Sequence, residues 1–250
     1  MKKSALRMVL AVLVAVAGLA SPPQDANAVP TLQLGVAGGS YDSATETIFS
    51  SGPSFALYAF LTPDSQNLLG DTYYLSMALT PPTSAPATLG SFSYNGNTVN
   101  VTGDMTFGNP PIDSFFPELP SHGVFDTYYK EVAFAFSSAD QSGVFNTQDH
   151  PSWGPQTGSG MYYTRFDIDT TNLASGYEIH FDLYNTNLVE KCMGNQGCSL
   201  DGNTQFAPFS HDAQSFTTPV PEPEIYAMLA AGLGLMGFVA RRRKQQGAVI

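Results

Sequence analysis

The sequence predicts an all-β protein: a single antiparallel β-sandwich of jelly-roll or immunoglobulin-like type, followed by one C-terminal transmembrane helix. Three observations favour this fold class. Gly, Pro, Ser and Thr are abundant and charged residues make up only 12% of the 250-residue chain, a composition that suits strands joined by many turns. Several runs alternate between apolar and other residues with a period of two, which is typical of half-buried strands. A continuous apolar run near the C-terminus is followed by a basic cluster.

The clearest strands have a two-residue period, because one face of each is expected to be buried. They are residues 55–61, 73–80, 132–136 and 178–184. Weaker candidates are residues 32–36, 91–94, 98–105, 162–168 and 212–216. Asn95-Gly96 separates two of them and favours a type I′ hairpin turn. About nine short strands with Gly- and Pro-rich connections indicate two packed sheets.

The N-terminus has the pattern of a secretory signal peptide. Three basic residues at the start precede a small and apolar run at 8–20, and Ala26-Asn27-Ala28 fits the small-x-small pattern of signal peptidase. The alternative is an uncleaved anchor, but the apolar run is short for a membrane span, which needs about 20 residues. We expect signal peptidase to cleave before Val29.

The C-terminus combines three features in a fixed order. Pro221-Glu222-Pro223 comes first, and its prolines keep the entry segment extended. An apolar run at about 225–240 is just long enough to cross a bilayer. Arg241-Arg242-Arg243-Lys244 follows and is expected to stay in the cytoplasm under the positive-inside rule. The tail therefore predicts a membrane anchor that leaves the bulk of the chain outside.

This tail resembles the PEP-CTERM sorting domain, which has a Pro-Glu-Pro signature, a short transmembrane helix and a terminal basic cluster. The resemblance covers residues 220–246. It implies recognition by exosortase, a membrane cysteine protease-transpeptidase, and transfer to the cell surface or extracellular matrix. The alternative is an ordinary single-span anchor with a chance Pro-Glu-Pro. The predicted organisation is a signal peptide at 1–28, a β-sandwich ectodomain at 29–219 and a sorting and anchor segment at 220–246.

The charge of the chain is unevenly placed. Between residues 29 and 219 there are 3 Lys and Arg against 18 Asp and Glu. Such a surface repels phosphate backbones, so nucleic acid is excluded as a partner. The acidic surface is compatible with solubility alone, with cationic partners or with divalent cations.

The two cysteines, Cys192 and Cys198, lie close together in a polar, Gly-containing segment. Export to an oxidising compartment favours a disulfide between them. It would stabilise a small loop by about 2 kcal/mol on the chain-entropy model. A metal site built on the two thiolates is the alternative, but no histidine lies near them in the sequence.

Two acidic pairs are candidate Ca²⁺ ligands, because calcium prefers oxygen donors. They are Asp167 with Asp169, and Asp201 with Asn203. Neither completes an EF-hand loop, and Asp and Asn are also common in turns for local hydrogen-bonding reasons. Calcium is thus the one candidate cofactor. His211-Asp212 follows an apolar segment, and we interpret it as a structural hydrogen-bonded pair rather than a catalytic dyad, since no nucleophile motif accompanies it.

The ectodomain is similar to that of the choice-of-anchor proteins, which attach homologous ectodomains to alternative sorting tails. The stretches that carry the resemblance are residues 37–42, 69–74, 166–169 and 206–213. The resemblance implies display at the cell surface. It implies no activity, so it assigns no catalytic residues.

We interpret the chain as a non-enzymatic structural or adhesive protein, exported by its signal peptide. Its C-terminal helix would anchor it in the inner membrane in transit to the cell surface or extracellular matrix. The sequence contains no Gly-x-Ser-x-Gly elbow, no His-Glu-x-x-His helix and no phosphate-binding loop. The alternative is a carbohydrate-binding module or an enzyme acting on exopolysaccharide, since tyrosine pairs such as Tyr128-Tyr129 could stack on sugars. Packing is the interpretation we favour for these tyrosines.

Overall fold

The computed structural model describes residues 28–192 and 198–216 together with Met236. Residues 1–27 of the predicted signal peptide, the Pro-Glu-Pro motif and the basic cluster lie outside these residues, as does the predicted transmembrane helix apart from Met236. Among the described residues, no helix is long and apolar enough to cross a membrane.

Strands make up nearly all the regular structure of the described residues, so the chain is all-β as predicted. The strands are β1 (Leu32–Val36), β2 (Ser40–Asp42), β3 (Thr47–Phe49), β4 (Ser54–Leu61), β5 (Tyr73–Thr80), β6 (Ser91–Tyr94), β7 (Asn97–Asn100), β8 (Thr106–Gly108), β9 (Thr127–Phe134), β10 (Gln141–Gly143), β11 (Gly160–Asp169), β12 (Glu178–Cys192), β13 (Cys198–Phe206) and β14 (Asp212–Gln214). A 3-10 turn, Phe209–His211, leads into β14.

The strands form two sheets. The first has the order β1-β4-β11-β6-β7, with β10 paired to β11. The second has the order β2-β3-β14-β12-β5-β9-β8, with β13 paired to β12. All pairs between these strands are antiparallel except β3 with β14, which run parallel. The expectation of a wholly antiparallel arrangement was therefore wrong at one position, where the last strand enters the sheet between β3 and β12.

The inner faces of the two sheets share one apolar core. Phe55 of the first sheet meets Phe181 of the second edge to face at 6.0 Å. Phe134 of the second sheet similarly contacts Phe166 of the first at 5.2 Å. The alternation predicted for 178–184 is confirmed on this side, because Ile179, Phe181 and Leu183 are all buried in the core. The jelly-roll or immunoglobulin-like assignment stays a prediction.

Some predicted strand ends were wrong for local reasons. The strand expected at 98–105 stops at Asn100, since the Asp104 carboxylate accepts the Asn100 amide at 2.8 Å and Thr102 adopts a positive φ of 64°. These features form a turn, which the alternating pattern did not reveal. The predicted strand at 132–136 begins earlier and ends at Phe134.

The outer face of the second sheet is covered by loop 109–126, the long connection between β8 and β9. The Glu131 carboxylate on β9 accepts the Ile112 amide at 3.0 Å and the hydroxyl of Tyr184 on β12. The Thr204 hydroxyl of β13 donates to the Pro117 carbonyl at 2.6 Å. The outward side of β12 from His180 to Tyr184 is therefore buried as well, whereas the sequence pattern indicated a half-buried strand.

Strand β12 extends beyond the sheet as one arm of a two-stranded ribbon. Up to Asn185 it pairs with β5, and from Tyr184 to Cys192 it pairs with β13. A disulfide joins Cys192 and Cys198 near the far end of the ribbon. Since a two-stranded ribbon is marginally stable alone, the cross-link stabilises its tip.

The first prediction tests the shared core. Phe181→Ala should lower the free energy of unfolding by about 3–5 kcal/mol, because it removes a fully buried ring and leaves a cavity between the sheets. Phe115→Ala is the matched control, since Phe115 is 57% exposed, and it should cost less than about 1 kcal/mol. Urea denaturation of the full chain in detergent measures both values. Equal losses in the two variants would contradict the face-to-face packing.

The second prediction tests the attachment of loop 109–126. Glu131→Ala removes the acceptor of the Ile112 amide, and hydrogen bonds to a charged group contribute about 1.5–3 kcal/mol each. Chymotrypsin should then cleave after Phe115 about ten times faster or more, because local opening exposes the loop. Glu118→Ala, at an exposed position of the same loop, is the control and should leave the rate unchanged. Mass spectrometry of timed digests would show whether Glu131→Ala is cut at the wild-type rate, which would refute the anchoring role.

Candidate metal centre

Four ionisable side chains converge on the outer face of the second sheet. His180 and Asp182 lie two residues apart on β12, so they project from the same face of the strand. Asp212 lies on the neighbouring strand β14, where His180 pairs with Gln214 and Phe181 with Ala213. One more step of this register places Asp182 beside Asp212. His122 reaches the same point from loop 109–126.

The ligand atoms of the four residues lie close together. The His122 Nε2 atom is 3.3 Å from the His180 Nε2 atom and 3.1 Å from the Asp182 Oδ1 atom. The His180 Nε2 atom lies 3.4 Å from the Asp182 Oδ1 atom and 3.6 Å from the Asp212 Oδ2 atom. All four residues can each offer one ligand atom within 4.8 Å of the others. We call this set the His-Asp cluster.

The outer nitrogen of each imidazole is held by a hydrogen bond. The His122 Nδ1 atom lies 3.1 Å from the Pro120 carbonyl oxygen, and the His180 Nδ1 atom lies 3.2 Å from Gln214 Oε1. Both partners are acceptors, so Nδ1 carries the proton in each ring. The orientation of the Gln214 amide is itself fixed, because its nitrogen donates to the Glu178 carboxylate. The Nε2 atoms of both rings are therefore left facing the centre of the cluster.

The carboxylates of the cluster are buried without matching donors. Asp182 is 3% exposed and Asp212 is 1% exposed. When both imidazoles carry their proton on Nδ1, no hydrogen bond from the described residues reaches either oxygen of Asp182 or Oδ2 of Asp212. A buried carboxylate without a partner is costly, and like charges side by side on adjacent strands add to that cost. The arrangement therefore calls for a proton or a cation at its centre.

The pKa values of the cluster are shifted accordingly. Burial raises the pKa of Asp212 to about 7, and the neighbouring Asp182 charge adds to the shift. Burial would also raise the pKa of Asp182, but the nearby His180 and His122 outweigh it and lower the pKa to about 2. Burial would lower the pKa of His180, yet the two carboxylates raise it to about 10. Without a bound cation, the carboxylates thus favour the protonated form of the imidazoles.

A cleft of about 410 Å³ opens onto the cluster. Its walls include His122, His180, Asp212 and Gln214, together with Glu46. The Phe209 ring of the 3-10 turn stacks on the His122 ring at 4.3 Å, which fixes the imidazole against the cleft wall. The cluster is therefore buried but reachable from solvent through this cleft.

The predicted calcium ligands lie elsewhere. The Asp167 carboxylate accepts two hydrogen bonds from Arg165, at 2.8 and 2.5 Å, and the Asp169 carboxylate accepts the Thr171 amide at 2.8 Å. Asp201 pairs with Lys191 across the ribbon. Asn203 is the cross-strand neighbour of Asn187. Calcium at either pair stays a prediction, and two of its four candidate ligands already pair with a cation.

The disulfide determines what the cysteine sulfurs can do. Glu190, Cys192 and Cys198 also bring ligand atoms within 4.8 Å of one another. Both sulfurs are committed to the disulfide, so neither is a thiolate that could bind a metal. The alternative of a two-cysteine metal site is therefore contradicted by the structure.

The interpretation of His211 and Asp212 as one hydrogen-bonded pair was wrong. The His211 Nε2 atom lies 2.9 Å from the Asn146 Oδ1 atom, and burial lowers the pKa of His211 to about 4. Asp212 instead lies beside His180. Sequence reasoning missed the cluster, although His180-x-Asp182 in an alternating run was a signal for two polar side chains on one face.

A relative of known sequence matches part of the chain. Over 90 residues the chain is 34% identical to the protein YaiT of Escherichia coli (strain K12). The match covers 35% of this chain and 9% of YaiT. The chain thus spans a small fraction of that relative, and the similarity assigns no activity.

The tail gives the informative comparison. Residues 219–244 match the PEP-CTERM protein-sorting motif. The matched segment includes Pro221-Glu222-Pro223 and Arg241-Arg242-Arg243-Lys244, from which the resemblance was inferred. The resemblance of the tail is therefore confirmed, whereas that of the ectodomain to choice-of-anchor proteins stays a prediction. The chain thus carries a PEP-CTERM sorting motif, which implies an exported protein that is anchored transiently in the membrane, processed by exosortase and then displayed at the cell surface.

Proposed function

We propose that the chain is a non-enzymatic surface or matrix protein whose β-rich ectodomain has a structural or adhesive role. Signal peptidase removes residues 1–28, the tail holds the protein in the inner membrane, and exosortase then transfers it outward. The observation that carries this proposal is the sorting motif at residues 219–244. Gln214 ends the last described strand, so the ectodomain and the motif are separated by only a few residues.

The disulfide supports export independently of the tail. A bond between Cys192 and Cys198 persists in an oxidising compartment and is rare in a reducing cytosol. It lies near the tip of the ribbon, where it stabilises strands that no third strand supports. This placement suits a projecting element that functions outside the cell.

An apolar patch supports the adhesive role. Leu188 and Leu200 on the ribbon are 55% and 63% exposed, and Phe115 of loop 109–126 is 57% exposed. The ribbon register places Leu188 opposite Gly202 and Glu190 opposite Leu200, so both leucines project from the same side. Gly202 packs against the Phe115 carbonyl, which brings the loop to this side of the ribbon. Exposed apolar side chains grouped in this way are typical of interaction surfaces.

The third prediction separates a sorting signal from a plain anchor. Pro221→Ala with Pro223→Ala leaves charge and hydrophobicity nearly unchanged, so membrane insertion should persist while exosortase recognition is lost. Unprocessed protein should accumulate in the inner membrane with its ectodomain outside. Neutral replacements at Arg241, Arg242, Arg243 and Lys244 should instead abolish the fixed orientation.

The two tail variants are compared with wild type by fractionation and by the intact mass of the released form. Release of the proline variant at wild-type mass and yield would show that the Pro-Glu-Pro motif is not the processing signal. Retention of both variants in the same state would contradict the separate roles of the two segments.

The fourth prediction tests the adhesive patch. Leu188→Ser with Leu200→Ser should weaken cell–cell aggregation at least about fivefold, since truncating a buried interface anchor costs about 1–2 kcal/mol or more. Val144→Ser is the control, because Val144 is 52% exposed and lies apart from the ribbon on the stretch after β10. Protease shaving of intact cells measures how much of each variant is displayed, so that strains with equal surface amounts are compared. Unchanged aggregation of the double variant would remove the patch from the proposal.

A further inference from the structure

We propose that the His-Asp cluster is a zinc site, in which His122, His180, Asp182 and Asp212 bind one Zn²⁺ ion. This site is independent of the sorting function and of the ribbon patch. It is built from side chains of β12, β14 and loop 109–126.

The spacing of the ligand atoms fits a tetrahedral ion. Zinc bonds to imidazole nitrogen and carboxylate oxygen are about 2.0–2.2 Å long, which places the ligand atoms of a tetrahedral site about 3.3–3.6 Å apart. The two imidazole nitrogens are 3.3 Å apart. Three of the four distances from imidazole nitrogen to carboxylate oxygen are 3.1, 3.4 and 3.6 Å, and all ligand atoms lie within 4.8 Å of one another. One ion at the centre can therefore contact all four groups with little movement.

The protonation of the imidazoles also fits a metal site. Each Nδ1–H donates to an oxygen, the Pro120 carbonyl for His122 and the Gln214 amide for His180. This pattern, in which a second hydrogen bond orients the ring, is general for metal-binding histidines. The two Nε2 atoms are only 3.3 Å apart. If both carried a proton, the two N–H groups would point at each other and repel. A cation accepts both lone pairs and removes that conflict.

The charges balance around a divalent ion. Two neutral imidazoles with two ionised carboxylates carry a charge of about −2, which Zn²⁺ neutralises in this buried site. The ion would also supply the missing partner of the Asp182 oxygens and of Asp212 Oδ2. Two nitrogen donors favour zinc over calcium and magnesium, which prefer oxygen alone.

Four protein ligands leave no open position, so the site is structural rather than catalytic. Three of the ligands belong to the sheet and His122 belongs to loop 109–126. The ion would therefore fasten this long loop to the outer face of the second sheet. Fastening by the ion would explain how loop 109–126, which is unusually long and contains no helix or strand, keeps one conformation.

The test uses the full chain in detergent, without a polyhistidine tag. Metal is removed with a chelator, ZnCl₂ is titrated back, and bound zinc is measured by elemental mass spectrometry after gel filtration. Wild type should retain about one zinc per chain and should melt at a higher temperature with zinc than without it. Cobalt(II) in place of zinc should give the intense visible absorption of a tetrahedral complex.

Three variants make the test specific. His122→Ala and the isosteric Asp212→Asn should each weaken zinc binding by about a hundredfold or more, whereas Gln214→Ala, which frees the His180 ring, should weaken it by about 10–100-fold. His150→Ala is the control, because His150 stacks on Trp153 away from the cluster, and it should bind zinc like wild type.

Three outcomes would overturn the proposal. The first is wild-type protein that retains no zinc after titration. The second is zinc retained equally by His122→Ala, Asp212→Asn and wild type, which would indicate adventitious binding elsewhere on the chain. The third is a rise in melting temperature with CaCl₂ and none with ZnCl₂, which would assign the cluster to a different ion.

Discussion

The burial of strand β12 on both of its faces between Ile179 and Asn185 is the constraint on which the rest of the structure depends. Its inner side chains, among them Phe181, complete the core between the sheets. Its outer side chains include His180 and Asp182, which are only 3% exposed because loop 109–126 lies over them. A polar face can be covered only if its groups find partners. Glu131 of β9 accepts the hydroxyl of Tyr184, and the loop places His122 beside Asp182.

Strand β14 links the His-Asp cluster to the sorting motif along the chain. It contributes Asp212 and Gln214 to the cluster and its surroundings, and it is held between β3 and β12. It is also the last described strand before the sorting motif at 219–244. Ser215 and Phe216, which follow β14, are held by hydrogen bonds to Ile179 and Ser50. The proposed zinc ion would join β14 to β12 and to the loop at that point, so that the end of the domain resists being pulled from the sheet.

Surface charge and surface apolarity have separate roles in the ectodomain. Two of the three basic residues between 29 and 219, Arg165 and Lys191, are paired with neighbouring carboxylates. The remaining surface is strongly acidic, which favours solubility and disfavours close approach of like copies. The exposed leucines of the ribbon are the kind of side chain that offsets this repulsion at short range. Paired tyrosines are mostly used in packing: Tyr73 is fully buried, and Tyr74 stacks on Tyr184 at 5.5 Å.

The sequence by itself determined the features that depend on neighbouring residues along the chain, namely the strand positions and the sorting motif. Two-residue alternation placed the strands around residues 55–61, 73–80 and 178–184, because side-chain direction in a strand follows position alone. The sorting motif was recognisable because its parts follow one another along the chain. Only the tertiary structure decided the His-Asp cluster, since His122 lies 58 residues from His180. Only the structure placed β14 parallel to β3 and beside β12, which brings Asp212 to Asp182. Strand register and loop packing are non-local, and a period-two pattern contains no information about which strand or loop will cover a face.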